Sequence, residues 1–194
     1  MKYFLLIIFL LALSGCSFKE VKPTSHYTLE VKKSLPVYET QAKNILITKP
    51  ILNAPYNSKN IFFTQKPYVF EQYAVNKWIE LPQLMIENML YETLQNSYLF
   101  ENVALENSKT TSDYTLQSHV TKLFHAYKAS HSFALVSIKF TLSNKNKTLD
   151  IFYAKKEILC EENTPYGFVK ASNKAFEEIS IELLEHLEKS SLLK

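Results

Sequence analysis

Two cysteines and five histidines are the residues of this 194-residue chain best suited to chemistry, as thiolate nucleophile, imidazole base or metal ligands. His26, His119, His125, His131 and His186 lack the i, i+2 or i, i+4 spacing by which a strand or helix aims two imidazoles at one ion. A surface or hairpin role is the reading that spacing favours, and no metal or cofactor is expected. Cys160 ends a strand-like run, so it reads as a buried, inert thiol. Catalytic use would need a neighbouring histidine that the sequence does not place. There is no Gly-x-Ser-x-Gly elbow and no His-Glu-x-x-His. Carboxylates cluster only at Glu161-Glu162 and along the last helix, where Glu177, Glu178, Glu182, Glu185 and Glu188 read as a solvated face. The expectation is a protein that is not an enzyme, with no catalytic residue. The two glycines, Gly15 and Gly167, cannot build a phosphate-cradling loop. All 22 basic residues are lysine against 19 acidic ones, so no guanidinium fork is available and nucleic-acid binding is disfavoured.

Cys16 is different, because of what precedes it. Met1-Lys2 is followed by eleven apolar residues, Tyr3 to Leu13, the length of a signal-peptide core and too short to span a bilayer. Leu13-Ser14-Gly15-Cys16 then resembles the bacterial lipobox, in which the cysteine sulfur becomes a diacylglyceryl thioether before cleavage. Residues 1–15 are therefore expected to be a signal peptide and Cys16 the lipidated N-terminus. Two or three acyl chains, each buried CH₂ contributing about 0.8 kcal/mol, would hold the protein stably on a membrane. Ser17, where an aspartate would retain such a protein at the inner membrane under the usual enterobacterial signal, points to the periplasmic side of the outer membrane. Residues 16–26 read as the lipidated cysteine and a polar tether, whose last ten residues reach roughly 33 Å when extended.

Residues 27–194 carry enough apolar content, 46% of the chain, for a single packed domain. Tyr27–Val31, Ile45–Thr48, Ile61–Phe63 and Tyr68–Phe70 read as short strands, the last two as a hairpin turning near Thr64 to Lys66. Pro82 and the spacing of Ile86, Met89, Leu90 and Leu94 predict a first helix over residues 81–95. Asp113–Phe124, with Tyr114, Leu116, Val120 and Phe124 on one face, Phe133–Leu142 and Leu149–Leu159 predict an antiparallel meander turning at Asn144 to Lys147. Ser172 or Asn173 could cap a last helix whose stripe is Phe176, Ile179, Leu183, Leu184 and Leu187. The fold class expected is α+β, an antiparallel sheet with two helices packed against it.

The stretch Tyr73-Ala74-Val75-Asn76-Lys77-Trp78-Ile79-Glu80-Leu81-Pro82, with Leu90 and Leu94 after it, carries the most specific resemblance. Together with Tyr27-Thr28-Leu29 after the tether, the run from Ile45 into Pro50, Ile61, and Asp113-Tyr114-Thr115-Leu116 with Phe124, it resembles the auxiliary lipoproteins of ABC-type transport systems, the PqiC-like group. That resemblance covers about 100 residues, Tyr27 to Phe124. It implies a role in intermembrane lipid transport, beside an inner-membrane ABC transporter and an MCE-type substrate-binding protein that crosses the periplasm. The lipoprotein would dock on the MCE protein at the far membrane, as a ring-shaped homo-oligomer around its conduit. Trp78, with Tyr73 and Asn76, is the expected partner contact, and the alternative for Trp78 is a half-buried aromatic at the start of the first helix. Relatives commonly carry arginine where Lys59 and Lys77 stand. The same anchor and fold class would also suit a structural lipoprotein assisting an outer-membrane β-barrel or a cell-wall synthase.

Overall fold

The computed structural model describes residues 23–31, 35–106, 108, 111–145 and 147–193. The expected signal peptide, Cys16, tether residues 17–22 and turn residue Asn146 lie outside the described residues. Within them, nine strands join in one sheet: β1 (Ser25–Tyr27), β2 (Ala42–Ile47), β3 (Ile51–Leu52), β4 (Asn60–Lys66), β5 (Val69–Trp78), β6 (Phe100–Leu105), β7 (Tyr114–Lys128), β8 (His131–Asn144) and β9 (Lys147–Leu159). Two helices, α1 (Pro82–Ser97) and α2 (Pro165–Lys189), pack on it.

The meander β7–β8–β9 is antiparallel, as the short connection expected at Asn144 to Lys147 implied, and its last turn lies between those residues. The sheet as a whole is mixed, which corrects the expectation of an antiparallel one. On the edge of β7 away from β8, three successive segments run parallel to it, with Ile45 beside Tyr114, Ile51 beside His119 and Phe63 beside His125. β6 lies parallel to β2, and β1 parallel to β5. Parallel neighbours need a long return connection, here one that includes α1, and side-chain alternation carries no information about strand direction.

A bulge in β7 between Val120 and Lys122 decides which residues reach the core. Before it, Leu116, Ser118 and Val120 share a face with Leu142, Phe140 and Ile138. After it, Leu123, His125 and Tyr127 take that face, opposite Val136, Ala134 and Ser132. The extra residue shifts the two-residue period by one, so Phe124 does not share a face with Leu116 as expected. Phe124 lies on the other side of the sheet, its ring stacked on Tyr56 and edge-on to Phe70 at 5.0 Å.

The predicted stripe of α1 is buried as Ile86, Met89, Leu90 and Leu94, and that of α2 as Phe176, Ile179, Leu183, Leu184 and Leu187. α2 starts two turns earlier than Ser172, which sits buried in mid-helix. Thr164 is its cap, accepting the Gly167 amide at 3.0 Å, and Pro165 fills the first helical position. Gly167 is required by close approach, since a Cβ there would sit 2.1 Å from the Glu162 carbonyl oxygen. Gly167→Ala is expected to destabilise the domain by about 1–3 kcal/mol or more, as overpacking does. Urea unfolding should show a lower midpoint with an unchanged slope.

Candidate functional site

The stretch from Tyr73 to Pro82 ends β5 and begins α1, and three elements converge on it. Trp78 is 2% exposed, with its ring centroid 6.0 Å from that of Phe168 on α2. Its amide donates to the Lys59 carbonyl at 2.8 Å, and it lies beside Tyr27 of β1. The burial is complete rather than half, so any contribution of Trp78 to a partner passes through what it positions. Asn76 Oδ1 accepts the Tyr27 hydroxyl at 2.9 Å, pinning β1 to β5. The lysines at the two arginine-bearing positions serve the same joint. Lys59 Nζ donates to the Ile79 carbonyl at 2.7 Å, and Lys77 Nζ to Asn60 Oδ1 at 2.8 Å and the Tyr73 carbonyl at 3.2 Å. Each is a point contact that an ammonium makes without a guanidinium fork.

Tyr73 belongs to a polar chain, running from the surface to a buried histidine and cysteine, that sequence reasoning missed. Its hydroxyl lies 2.7 Å from His125 Nδ1 and 3.0 Å from the Tyr127 hydroxyl. His125 Nε2 lies 3.6 Å from Cys160 Sγ, and the Tyr127 hydroxyl donates to the Asn163 carbonyl at 3.3 Å. One assignment of protons satisfies every member: Cys160 S–H to Nε2, Nδ1–H to Tyr73, Tyr73 O–H to Tyr127, and Tyr127 O–H to Asn163. Cys160 thus has the histidine neighbour that catalysis would need. The pair is nevertheless not an activated nucleophile, because burial raises the thiol pKa and pushes that of His125 down to about 4. Desolvation also raises the Tyr73 hydroxyl, with its bond to Tyr127 adding to the effect. Cys160, His125 and Tyr73 are therefore held neutral, in a chain that with Tyr127 ties β5, β7 and the loop before α2 together. The bulge in β7 is what turns His125 inward, and no residue type in the sequence announces it.

The histidine gives the fold a pH dependence. Above pH 6.5 the imidazole is neutral whether folded or unfolded, and its contribution is constant. Between 6.5 and about 4 the unfolded chain takes up a proton that the folded one refuses, so stability falls with pH. The loss attributable to His125 should approach about 3 kcal/mol, by urea midpoints at pH 7 and pH 4. His125→Gln should flatten that dependence, and an unchanged slope against pH would contradict the assignment.

The other histidines are dispersed. His119 Nε2 meets Asn53 Oδ1 at 2.9 Å, and His186 pairs with Asp150 at 2.5 Å under the ring of Phe152. Among the described residues, no three His, Cys, Asp or Glu side chains converge where they could hold a metal ion. The acidic row of α2 is partly engaged, with Glu178 and Glu182 both paired to Lys156 of β9.

The β4–β5 hairpin turns at Pro67-Tyr68 rather than at Thr64 to Lys66, and its tip is apolar and exposed. Tyr68 is 99% exposed, Val69 47% and Phe70 52%. A groove of about 580 Å³ runs between the end of β1 with the residues after it and the first half of α2, lined by Tyr27, Tyr166, Lys170 and Lys174 among others. Among the described residues no helix is long and apolar enough to cross a membrane.

Residues 27–183 match the model of a family described as the ABC-type transport auxiliary lipoprotein component. A solved Xanthomonas campestris protein of family DUF330 has the same fold, with a TM-score of 0.74 at 18% identity over 82% of this chain and 92% of its own. A second solved protein, uncharacterised, gives 0.70 at 12% identity over 86% and 99%. No curated protein matches the sequence.

Proposed function

From the premise that the chain belongs to the ABC-type transport auxiliary lipoprotein family, we propose that it is a non-catalytic, periplasm-facing part of an intermembrane phospholipid transport system. Cys16 carries the lipid that holds it to the outer membrane. The domain docks there onto an MCE-type substrate-binding protein, which an inner-membrane ABC transporter serves. The family match over residues 27–183 carries this reading, since it begins where the tether ends and spans the sheet and most of α2.

The buried joint supports it in physical terms. Trp78, Tyr73 and Asn76 spend their bonding capacity inside the chain, joining β5 to β1, β7 and α2. A rigid unit on a short tether suits docking, because little conformational entropy is lost when it meets a partner. Contact itself then falls to exposed neighbours, among them Ile79 at the end of the motif. Assembly of several copies in a ring is part of the reading, and the exposed Ile151 and Tyr153 of β9 offer surface for it.

Mild crosslinking in native membranes, affinity purification of the tagged lipoprotein, and mass spectrometry of proteins and phospholipids test the proposal. An MCE protein with its ABC components is the expected recovery. A β-barrel or a cell-wall synthase in their place would favour a structural lipoprotein and overturn the transport reading.

A further inference from the structure

We propose that the β4–β5 hairpin tip, Tyr68-Val69-Phe70, is a second membrane contact, inserted into the interface of the membrane that holds Cys16. The inference rests on the lipid anchor proposed above and adds an orientation to it.

β1 runs parallel to β5, with Ser25 beside Asn76 and Tyr27 beside Trp78. β5 itself runs from the hairpin turn towards Trp78, so the chain reaches Ser25 from the turn's end of the sheet. The same end holds the β7–β8 turn, because Thr64 of β4 lies beside Ala126 of β7. The loop before α2 reaches the same end, since Asn163 donates to the Ser130 carbonyl at 2.8 Å. Seven residues separate Val69 from Asn76, at most about 24 Å of strand. Nine separate Cys16 from Ser25, with a reach of about 30 Å. A lipidated Cys16 can therefore lie level with the tip.

The tip has the chemistry of an interfacial contact. Tyrosine places an apolar ring and a polar hydroxyl at the depth where acyl chains meet headgroups. Phe70 is only half used by its contact with Phe124, and Val69 adds apolar area beside it. Tyr68 also occupies the left-handed region, with φ 68°, which costs a tyrosine more than it would a glycine. An exposed aromatic held in a strained turn, with no intrachain packing to compensate it, points to a contact outside the chain. With Ser25 entered from the same end and Cys16 within reach of the tip, that contact is the bilayer.

The test uses the full lipidated chain in vesicles of phosphatidylethanolamine and phosphatidylglycerol. An environment-sensitive dye is placed on Gln65→Cys beside the tip, or on Lys147→Cys at the far end of the meander, Cys160 being buried. Intact mass establishes the lipid on Cys16. The expected result is a blue-shifted dye at 65 that spin-labelled lipid quenches, and an aqueous dye at 147. Tyr68→Gly should weaken the quenching at 65 without lowering the unfolding midpoint, separating contact from folding. A lipidated chain whose dye at 65 stays aqueous overturns the proposal while leaving the anchor intact. Equal quenching at both positions overturns it as well. A shift at 65 that appears only when MCE and ABC components are added would make the tip a protein-docking site instead. An unmodified Cys16 would sink the anchor reading, and the orientation with it.

Discussion

Trp78→Ala is expected to lower the stability of the domain by about 3–5 kcal/mol, the range for removing a large aromatic from a packed core. For a domain of this size, that moves the melting temperature down by on the order of 10 °C. The magnitude follows from position, since the ring is 2% exposed and packs against Phe168, and the same residue joins β5 to β1. Because Trp78 is the chain's single tryptophan, unfolding has to be followed by circular dichroism. Trp78→Phe should recover much of the loss, as it leaves a smaller cavity. The pair of variants also separates packing from recognition. If Trp78 acts through packing, partner capture should track the folded fraction in both. A stable Trp78→Phe protein that captures nothing would instead make the indole a direct contact.

Cys16→Ser is expected to have the largest effect on location. An acyl-carrying cysteine concentrates the whole membrane affinity of the anchor in one residue, and serine offers no sulfur for the thioether. Metabolic labelling with a clickable fatty acid should fall to background, and the chain should leave the outer-membrane fraction. A hairpin tip of three residues cannot make good that loss, since weak membrane affinity from one signal becomes stable only with a second. Persistent labelling of the variant would show that the lipid is attached elsewhere.

Much of this architecture was legible from apolar periodicity, because burial selects residue type directly. The stripe Ile86, Met89, Leu90, Leu94 and the alternation from Ala134 to Leu142 reach the core as their spacing implied. What alternation does not encode is direction and register. The parallel run of β2, β3 and β4 along β7 depends on the return through α1, and the bulge after Val120 exchanges the faces of Phe124 and His125. The candidate site was half legible for that reason. Tyr73, Asn76 and Trp78 were singled out as a motif, and they do form one joint, but the partners of Tyr73 come from beyond the bulge. The last helix starts at Pro165 with Thr164 as its cap, earlier than the Ser172 or Asn173 expected, because its first turns lie ahead of the apolar stripe that Phe176 begins. Tyr68 reads in sequence as resuming a strand but sits in the turn, since a tyrosine with positive φ has no signature in the sequence.

The proposed function requires this domain to dock on an MCE protein. A photo-crosslinking amino acid placed singly at the exposed positions Ile79, Tyr98 and Tyr153 in native membranes addresses it most directly, with each adduct identified by mass spectrometry. Adducts with an MCE-type substrate-binding protein at one or more of these positions are the predicted result. Adducts confined to a β-barrel or a cell-wall synthase, with the MCE protein present in the same membranes, would contradict it.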